Sequence, residues 1–191
     1  VNKVVFQVNI KGHRAKDEFE VSTKSWSKWC DKNNFKHFIL EEPIQDLEYM
    51  NANWHKFYVL SMLDNEGIDY DQVCIVDADT IVHPNCPNFF EMVGDKFGVV
   101  QSDGCYEWVN RSIEKYREHL FPKIEIKTWE YFNGGFQIVN ESHKEFFTKF
   151  KTEFLPGFEN RNFVSGTSVT NVLTRAKDFY MSKGTDSSYQ I

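Results

Sequence analysis

Val4-Val5-Phe6-Gln7-Val8-Asn9 is an apolar run that reads as a first strand. A loop at Lys11-Gly12-His13 follows, and a helical pattern from Asp17 to Trp29 carries Phe19, Trp26 and Trp29. His37-Phe38-Ile39-Leu40 reads as a short second strand. From Trp54 to Leu63 nearly every position is apolar, which predicts a buried helix stopped by Asp64-Asn65-Glu66-Gly67, with Gly67 as its cap. The apolar run at Val73 begins a third strand, and Phe97 to Gln101 forms a fourth. Tyr106 to Leu120 has the spacing of an amphipathic helix and stops before Pro122. Phe136 to Val139 reads as a strand and Ser142 to Phe150 as a helix; a shorter helix at Thr167 to Ala176 and a strand at Phe179 to Met181 complete the pattern. Strand and helix alternate through the first half, which predicts an α/β fold with a mainly parallel sheet flanked by helices. The second half is less regular. No linker, repeat or low-complexity stretch divides residues 1–191, so one domain is expected.

The third strand carries the strongest chemical signal. Val73-Cys74-Ile75-Val76 runs directly into Asp77-Ala78-Asp79-Thr80. Aspartate is a poor strand former, and two of them beside a buried run need a reason. In an extended segment, side chains at i and i+2 share a face, so Asp77 and Asp79 converge while Ala78 faces away. Two convergent carboxylates repel unless a cation joins them, and their hard oxygens suit Mg²⁺ or Mn²⁺. The plainer alternative is a strand end followed by a polar turn. The apolar pair Ile81-Val82 behind the motif favours the rim of a sheet, where open α/β sheets bind ligands. A second loaded segment is Tyr131-Phe132-Asn133-Gly134-Gly135-Phe136. Its paired glycines permit backbone geometry closed to other residues and a close approach of ligand to the main chain. A plain turn before a strand is the alternative there.

Composition narrows the classes. The net charge is −6, and no dense basic patch offsets it, so the electrostatic footprint of a nucleic-acid binder is absent. The cluster Lys11, His13, Arg14 and Lys16 is large enough to serve one anionic ligand. Cys30, Cys74, Cys86 and Cys105 form no C-x-x-C pair, which argues against a zinc or redox motif; Cys74 is expected to pack as a small hydrophobe. Free thiols fit a reducing compartment. With no signal peptide and no apolar run of membrane-spanning length, a cytoplasmic location is expected, and the acceptor patterns at Asn110 and Asn140 read as chance. Aromatic residues make up 16%, a share that sugar-binding clefts also use, although most of these rings are expected in the core.

The Asp77-Ala78-Asp79-Thr80 strand end and the Phe132-Asn133-Gly134-Gly135 segment some 50 residues later resemble, as an ordered pair, the nucleotide-sugar-dependent glycosyltransferases of the GT-A fold. The resemblance extends to the upstream helix with Trp54 and Lys56 and to Gly166-Thr167-Ser168-Val169-Thr170-Asn171. The compact size is similar to small glycosyltransferase domains encoded by large algal viruses. The resemblance implies a GT-A (Rossmann-like) domain that moves a hexosyl group from a UDP-sugar, UDP-glucose or another UDP-hexose, to a hydroxyl of a glycan acceptor. Residues of about 1–100 would bind nucleotide-sugar and metal, and about 101–191 the acceptor. Asp79 would coordinate Mn²⁺ or Mg²⁺ directly; Asp77 would hold the ribose, the metal or both, and Ala78 belongs to the same donor-binding motif. Asn133, Gly134 and Gly135 would line the donor sugar. Gln7, Val8 and Asn9 would sit by the uracil and ribose. Lys11, Arg14 or Lys56 would approach the phosphates, against the plainer reading of each as a solvated surface cation. An inverting enzyme needs a carboxylate base near the acceptor hydroxyl, for which Asp103 and Glu130 are the candidates; a retaining enzyme needs none. Two departures from the family pattern stand out. Ser168 occupies a place where an acidic residue is frequent, and no histidine follows His143 to serve as a further metal ligand; either water fills that place or the chain is a fragment of a longer one, and His83, four residues past Asp79, could reach the site against the plainer reading of a surface histidine.

Three rivals are weighed against this reading. A phosphohydrolase of the haloacid dehalogenase type wants Thr or Val four residues after the first Asp, where this chain has Ile81. A sugar nucleotidyltransferase wants a Gly-rich basic loop after the first strand, and Lys11-Gly12-His13-Arg14 has one glycine. A non-catalytic sugar-binding module would work through Trp108 and Trp129, and has no need of Asp77 and Asp79.

Overall fold

The computed structural model describes residues 2–11, 16–101, 104–119 and 125–154. Arg14, Asp103, Ser168, the expected helix at 167–176 and the expected strand at 179–181 lie outside the described residues. Two compact units divide the chain, Val1–Gly98 with Gly135–Asn162 and Val99–Gly134 with Phe163–Ile191.

Among the described residues, five strands form one sheet in the order β2-β1-β3-β5-β4: β1 is Lys3–Val8, β2 Lys36–Leu40, β3 Gln72–Val76, β4 Gly98–Gln101 and β5 Phe132–Val139. β1 pairs in parallel with both β2 and β3, and β3 pairs antiparallel with β5, with Val76 opposite Phe136. The α/β class and mixed, mainly parallel sheet expected from the strand–helix alternation are therefore present. From β1 the chain passes through helix α1 (Lys16–Asn33) to β2 on one side, then returns to β3 on the other. That reversal opens a crevice at the carboxyl ends of β1 and β3, the place where open α/β sheets bind ligands.

Burial explains the strands. Val73, Cys74, Ile75 and Val76 of β3 and Val4, Val5 and Phe6 of β1 are all buried, as expected of central strands covered on both faces. α1 turns Phe19, Ser22, Trp26, Trp29 and Cys30 inward at helical spacing. Trp29 stacks on Phe89 of α3 (Phe89–Val93) at 4.5 Å between ring centroids. A second aromatic group joins Trp54 and Phe57 to Phe147 and Phe150, with Phe57 and Phe150 centroids 4.1 Å apart. In the second unit, Val109 and Ile113 of α4 (Tyr106–His119) pack with Ile126 and Tyr131.

The expected helix at 54–63 begins earlier and tighter. Ala52–Tyr58 is a 3-10 segment started by Asn51, whose side chain accepts from the Asn53 N–H, and α2 continues it over Val59–Asn65. Gly67 ends α2 at φ +64°, donating to Asp64 O at 3.1 Å while Ile68 donates to Leu63 O at 2.9 Å, a Schellman arrangement. The helix expected at 142–150 is a 3-10 turn over Glu141–His143, then α5 (Lys144–Lys149), then a wide turn over Phe150–Phe154. The Gly-Gly pair belongs to β5 rather than to a turn before it. Among the described residues, the left-handed glycines are Gly67 and Gly94, so Gly134 and Gly135 use ordinary extended backbone. No helix among the described residues is long and apolar enough to cross a membrane.

Gly98, the first residue of β4, lies close against α3 and β5. A Cβ there would lie 2.7 and 2.9 Å from the two Val93 methyls and 3.1 Å from Ile138 Cβ. Gly98→Ala is expected to destabilise the fold by about 1–3 kcal/mol through overpacking, read as a lowered urea midpoint. An unchanged midpoint would show that α3 yields without cost.

Candidate functional site

β3 ends at Val76, and the Asp77 N–H makes the next ladder bond, to Gly135 O at 2.9 Å. There the chain turns. The Thr80 N–H donates to Asp77 O at 3.1 Å, closing a turn over 77–80, and the Thr80 hydroxyl donates to the same oxygen at 2.6 Å. The motif is thus a turn at the strand's carboxyl end, not a continuation of the extended strand. The alternation argument for convergent carboxylates does not hold, because the Thr80 side chain supplies the backbone with a competing local partner. Both aspartates nevertheless line one cavity. Asp77, Ala78 and Asp79 line it together with Val8, Ile10, Phe19, Ala52, Asn53 and Lys56. Its volume is about 80 Å³, room for a hydrated ion. Ala78 is buried, Asp77 half-buried and Asp79 exposed.

Lys56 reaches this cavity from the 3-10 segment. It is 4% exposed, and its ammonium bonds Asp77 Oδ1. A lysine this buried requires a counter-charge, and the Asp77 carboxylate supplies one. The plainer expectation of a solvated lysine does not hold for Lys56.

The remaining sequence candidates fall in several places. Val8 lines the cavity; Gln7, one residue earlier, is fully buried and faces the interior. Its amide nitrogen donates to Ser22 Oγ at 2.9 Å and reaches Asp77 O at 3.4 Å. Its amide oxygen lies 3.1 Å from His37 Nε2, and His37 Nδ1 lies 2.9 Å from Ser27 Oγ. Burial lowers the His37 pKa to about 4, so at neutral pH the ring is uncharged, with Nε2–H donating to Gln7 and Nδ1 accepting from Ser27. Asn9 donates to Thr23 Oγ1 at 3.4 Å. Lys11 is exposed and pairs with Glu41 at 2.9 Å. Gly135 touches the motif through its carbonyl, while Asn133 and Gly134 belong to the second unit. Glu130 ends a 3-10 turn of that unit, its carboxylate 3.4 Å from the Lys127 N–H. Trp108 and Trp129, also of the second unit, are 47% and 60% exposed. Trp108 meets Tyr131 edge-on, and the Lys127 ammonium lies 5.5 Å from the Trp129 ring.

Sequence reasoning missed Ile10, Phe19, Ala52 and Asn53 as cavity walls. Ile10 repeats the Val8 position two residues on, a signal that was available; the others come from elements whose approach only the fold defines. His83 is exposed, and its Nδ1 accepts from the Asn85 N–H at 3.1 Å within its own turn. Among the described residues, no group of three or more His, Cys, Asp and Glu side chains is arranged to hold a metal. Two carboxylates on one turn still fit Mg²⁺ or Mn²⁺, which take one or two carboxylates and complete their shell with water and substrate phosphates.

No protein-family model matches this chain, and no curated protein does. Its fold does match a solved structure, a glycosyltransferase involved in the glycosylation of the major capsid of PBCV-1. The TM-score is 0.53 at 9% sequence identity, covering 81% of this chain and 68% of that one. The chain is built on that enzyme's fold. At such low identity the likeness carries architecture alone, and chemistry has to be argued from the crevice.

Proposed function

We propose that this chain is a glycosyltransferase that moves a hexosyl group from a UDP-sugar to a hydroxyl of a glycan, with a divalent cation at Asp77 and Asp79. The observation that carries the reading is the carboxylate turn at the carboxyl end of β3, sharing one cavity with buried Lys56 and the end of β1. The likeness to a viral glycosyltransferase supports it at the level of the fold.

In the transfer, the bond from the anomeric carbon to the diphosphate oxygen breaks and a bond from the same carbon to the acceptor oxygen forms. The acceptor proton leaves to a base, for which Asp103 and Glu130 are the proposed residues in an inverting reaction. Negative charge develops on the departing diphosphate. A bound Mn²⁺ or Mg²⁺ supplies Lewis-acid stabilisation of that charge. Lys56 adds a fixed positive charge in the same wall, held in place before substrate arrives. Val8, Ile10 and Phe19 give the cavity an apolar side against which a bound donor would pack.

Calorimetric titration with UDP, UDP-glucose and UDP-galactose, each with and without Mn²⁺, tests the reading. Binding is expected to require both uridine diphosphate and the metal. Binding of none of them, or binding indifferent to Mn²⁺, would overturn it.

A further inference from the structure

We infer that Trp26 is a positioning residue for the carboxylate turn, acting through the Thr80 hydroxyl; the inference rests on the reading of Asp77 and Asp79 as the cation site. Trp26 is 3% exposed on α1, and its ring is held edge-on by Trp29 at 5.9 Å and Phe89 at 6.1 Å. Its indole nitrogen donates to Thr80 Oγ1 at 3.0 Å. An indole N–H only donates. The Thr80 oxygen therefore accepts, and its own proton goes to Asp77 O at 2.6 Å. The direction of the chain of bonds is fixed: Trp26 N–H to Thr80 O–H to the Asp77 carbonyl.

The same helix grips the far side of the turn. The Val82 N–H donates to Ser25 Oγ at 3.2 Å, and the Ser25 hydroxyl donates back to Ser22 O at 2.8 Å. Asp79 thus sits between Asp77 and Thr80, which are bonded to each other, in a segment moored to α1 at Thr80 and Val82. With so short a span between fixed points, the turn sets the backbone at Asp79 and with it the direction in which its Cα–Cβ bond leaves the chain. A rigid aromatic core is thereby connected to the placement of a ligand oxygen, which is how supporting hydrogen bonds tune metal sites.

The test uses the whole chain labelled with ¹⁵N, and the indole N–H resonance of Trp26 assigned by its loss in Trp26→Phe. Mg²⁺ is titrated with and without UDP, following that resonance by NMR and the affinity by calorimetry. In the parent, the Trp26 resonance is expected to shift saturably with Mg²⁺. Thr80→Val, close in shape but without the hydroxyl, is expected to move the resonance upfield before any ion is added and to weaken Mg²⁺ binding by about 10-fold or more. Thr80→Ser restores the hydroxyl and should recover affinity to within about 3-fold of the parent. Trp26→Phe should match Thr80→Val, and the double variant should be no worse than either, because both remove one chain of bonds. Parent-like affinity in Thr80→Val overturns the inference while leaving the cation site standing. Equal losses in Thr80→Ser and Thr80→Val overturn it in favour of methyl packing. A parent that binds no Mg²⁺ overturns the reading of the site itself, and the inference with it.

Discussion

Asp79→Asn is expected to keep the fold and to lose metal-dependent binding of a UDP-sugar by at least about 100-fold, beyond what removing a supporting group costs. The variant separates charge from shape. Asp79 is exposed on a turn, where asparagine is as well tolerated as aspartate, so the melting temperature should move little. What changes is the formal charge of an oxygen donor, and a hard cation responds to that strongly. Calorimetry in Mn²⁺ with UDP-glucose reads the effect. If the variant binds as tightly as the parent, Asp79 is not a metal ligand.

The second large effect is on stability and falls on the neighbouring carboxylate. Asp77→Ala removes a counter-charge from beside a lysine that is 4% exposed, which leaves the Lys56 ammonium less well compensated in a buried wall. A loss of about 2–4 kcal/mol is expected, somewhat below the full cost of breaking a deeply buried pair, because the Asp77 side chain is itself 37% exposed. Lys56→Met should cost less, since the carboxylate it leaves behind keeps access to water. The double variant Lys56→Met/Asp77→Ala should then resemble Lys56→Met rather than the sum of the two. Urea unfolding of all four proteins measures this directly. Equal single effects that add in the double variant would show that the pair is not coupled. Against a typical domain stability of about 5–15 kcal/mol, the expected loss in Asp77→Ala is a large fraction of the whole.

The parts of this molecule that could be read from its chain are those decided locally. β3 was legible because a strand covered on both faces needs an unbroken apolar run, and Val73 to Val76 provides one. The position of the carboxylates at its end followed from the same run. Their conformation did not, because a turn closed by the Thr80 hydroxyl and an extended strand share the same pattern of residues. Lys56 looked like any lysine in a helix; its burial depends on a carboxylate 21 positions away. Gln7 interrupts an apolar strand with a polar group that Ser22, His37 and the Asp77 carbonyl, all from other parts of the chain, make tolerable. The glycines of β5 show the reverse failure: their identity permits a special turn, but the sheet uses them extended. For Lys56 and Gln7 the missing information was a partner distant in sequence; for the carboxylates it was the choice between a locally closed turn and an extended strand.

The ion pair in the cavity wall also bears on the order in which ligands arrive. Among the described residues of the lining, Lys56 offsets Asp77 and Asp79 remains, so before any ligand binds that part of the lining is net negative. Such a lining draws in a divalent cation and opposes a free diphosphate. Once the cation is seated the sign reverses, and the same surface attracts what it had repelled. On the proposed reading, the metal therefore enters first or together with the nucleotide, and a nucleotide offered alone meets a barrier that rises as salt is removed.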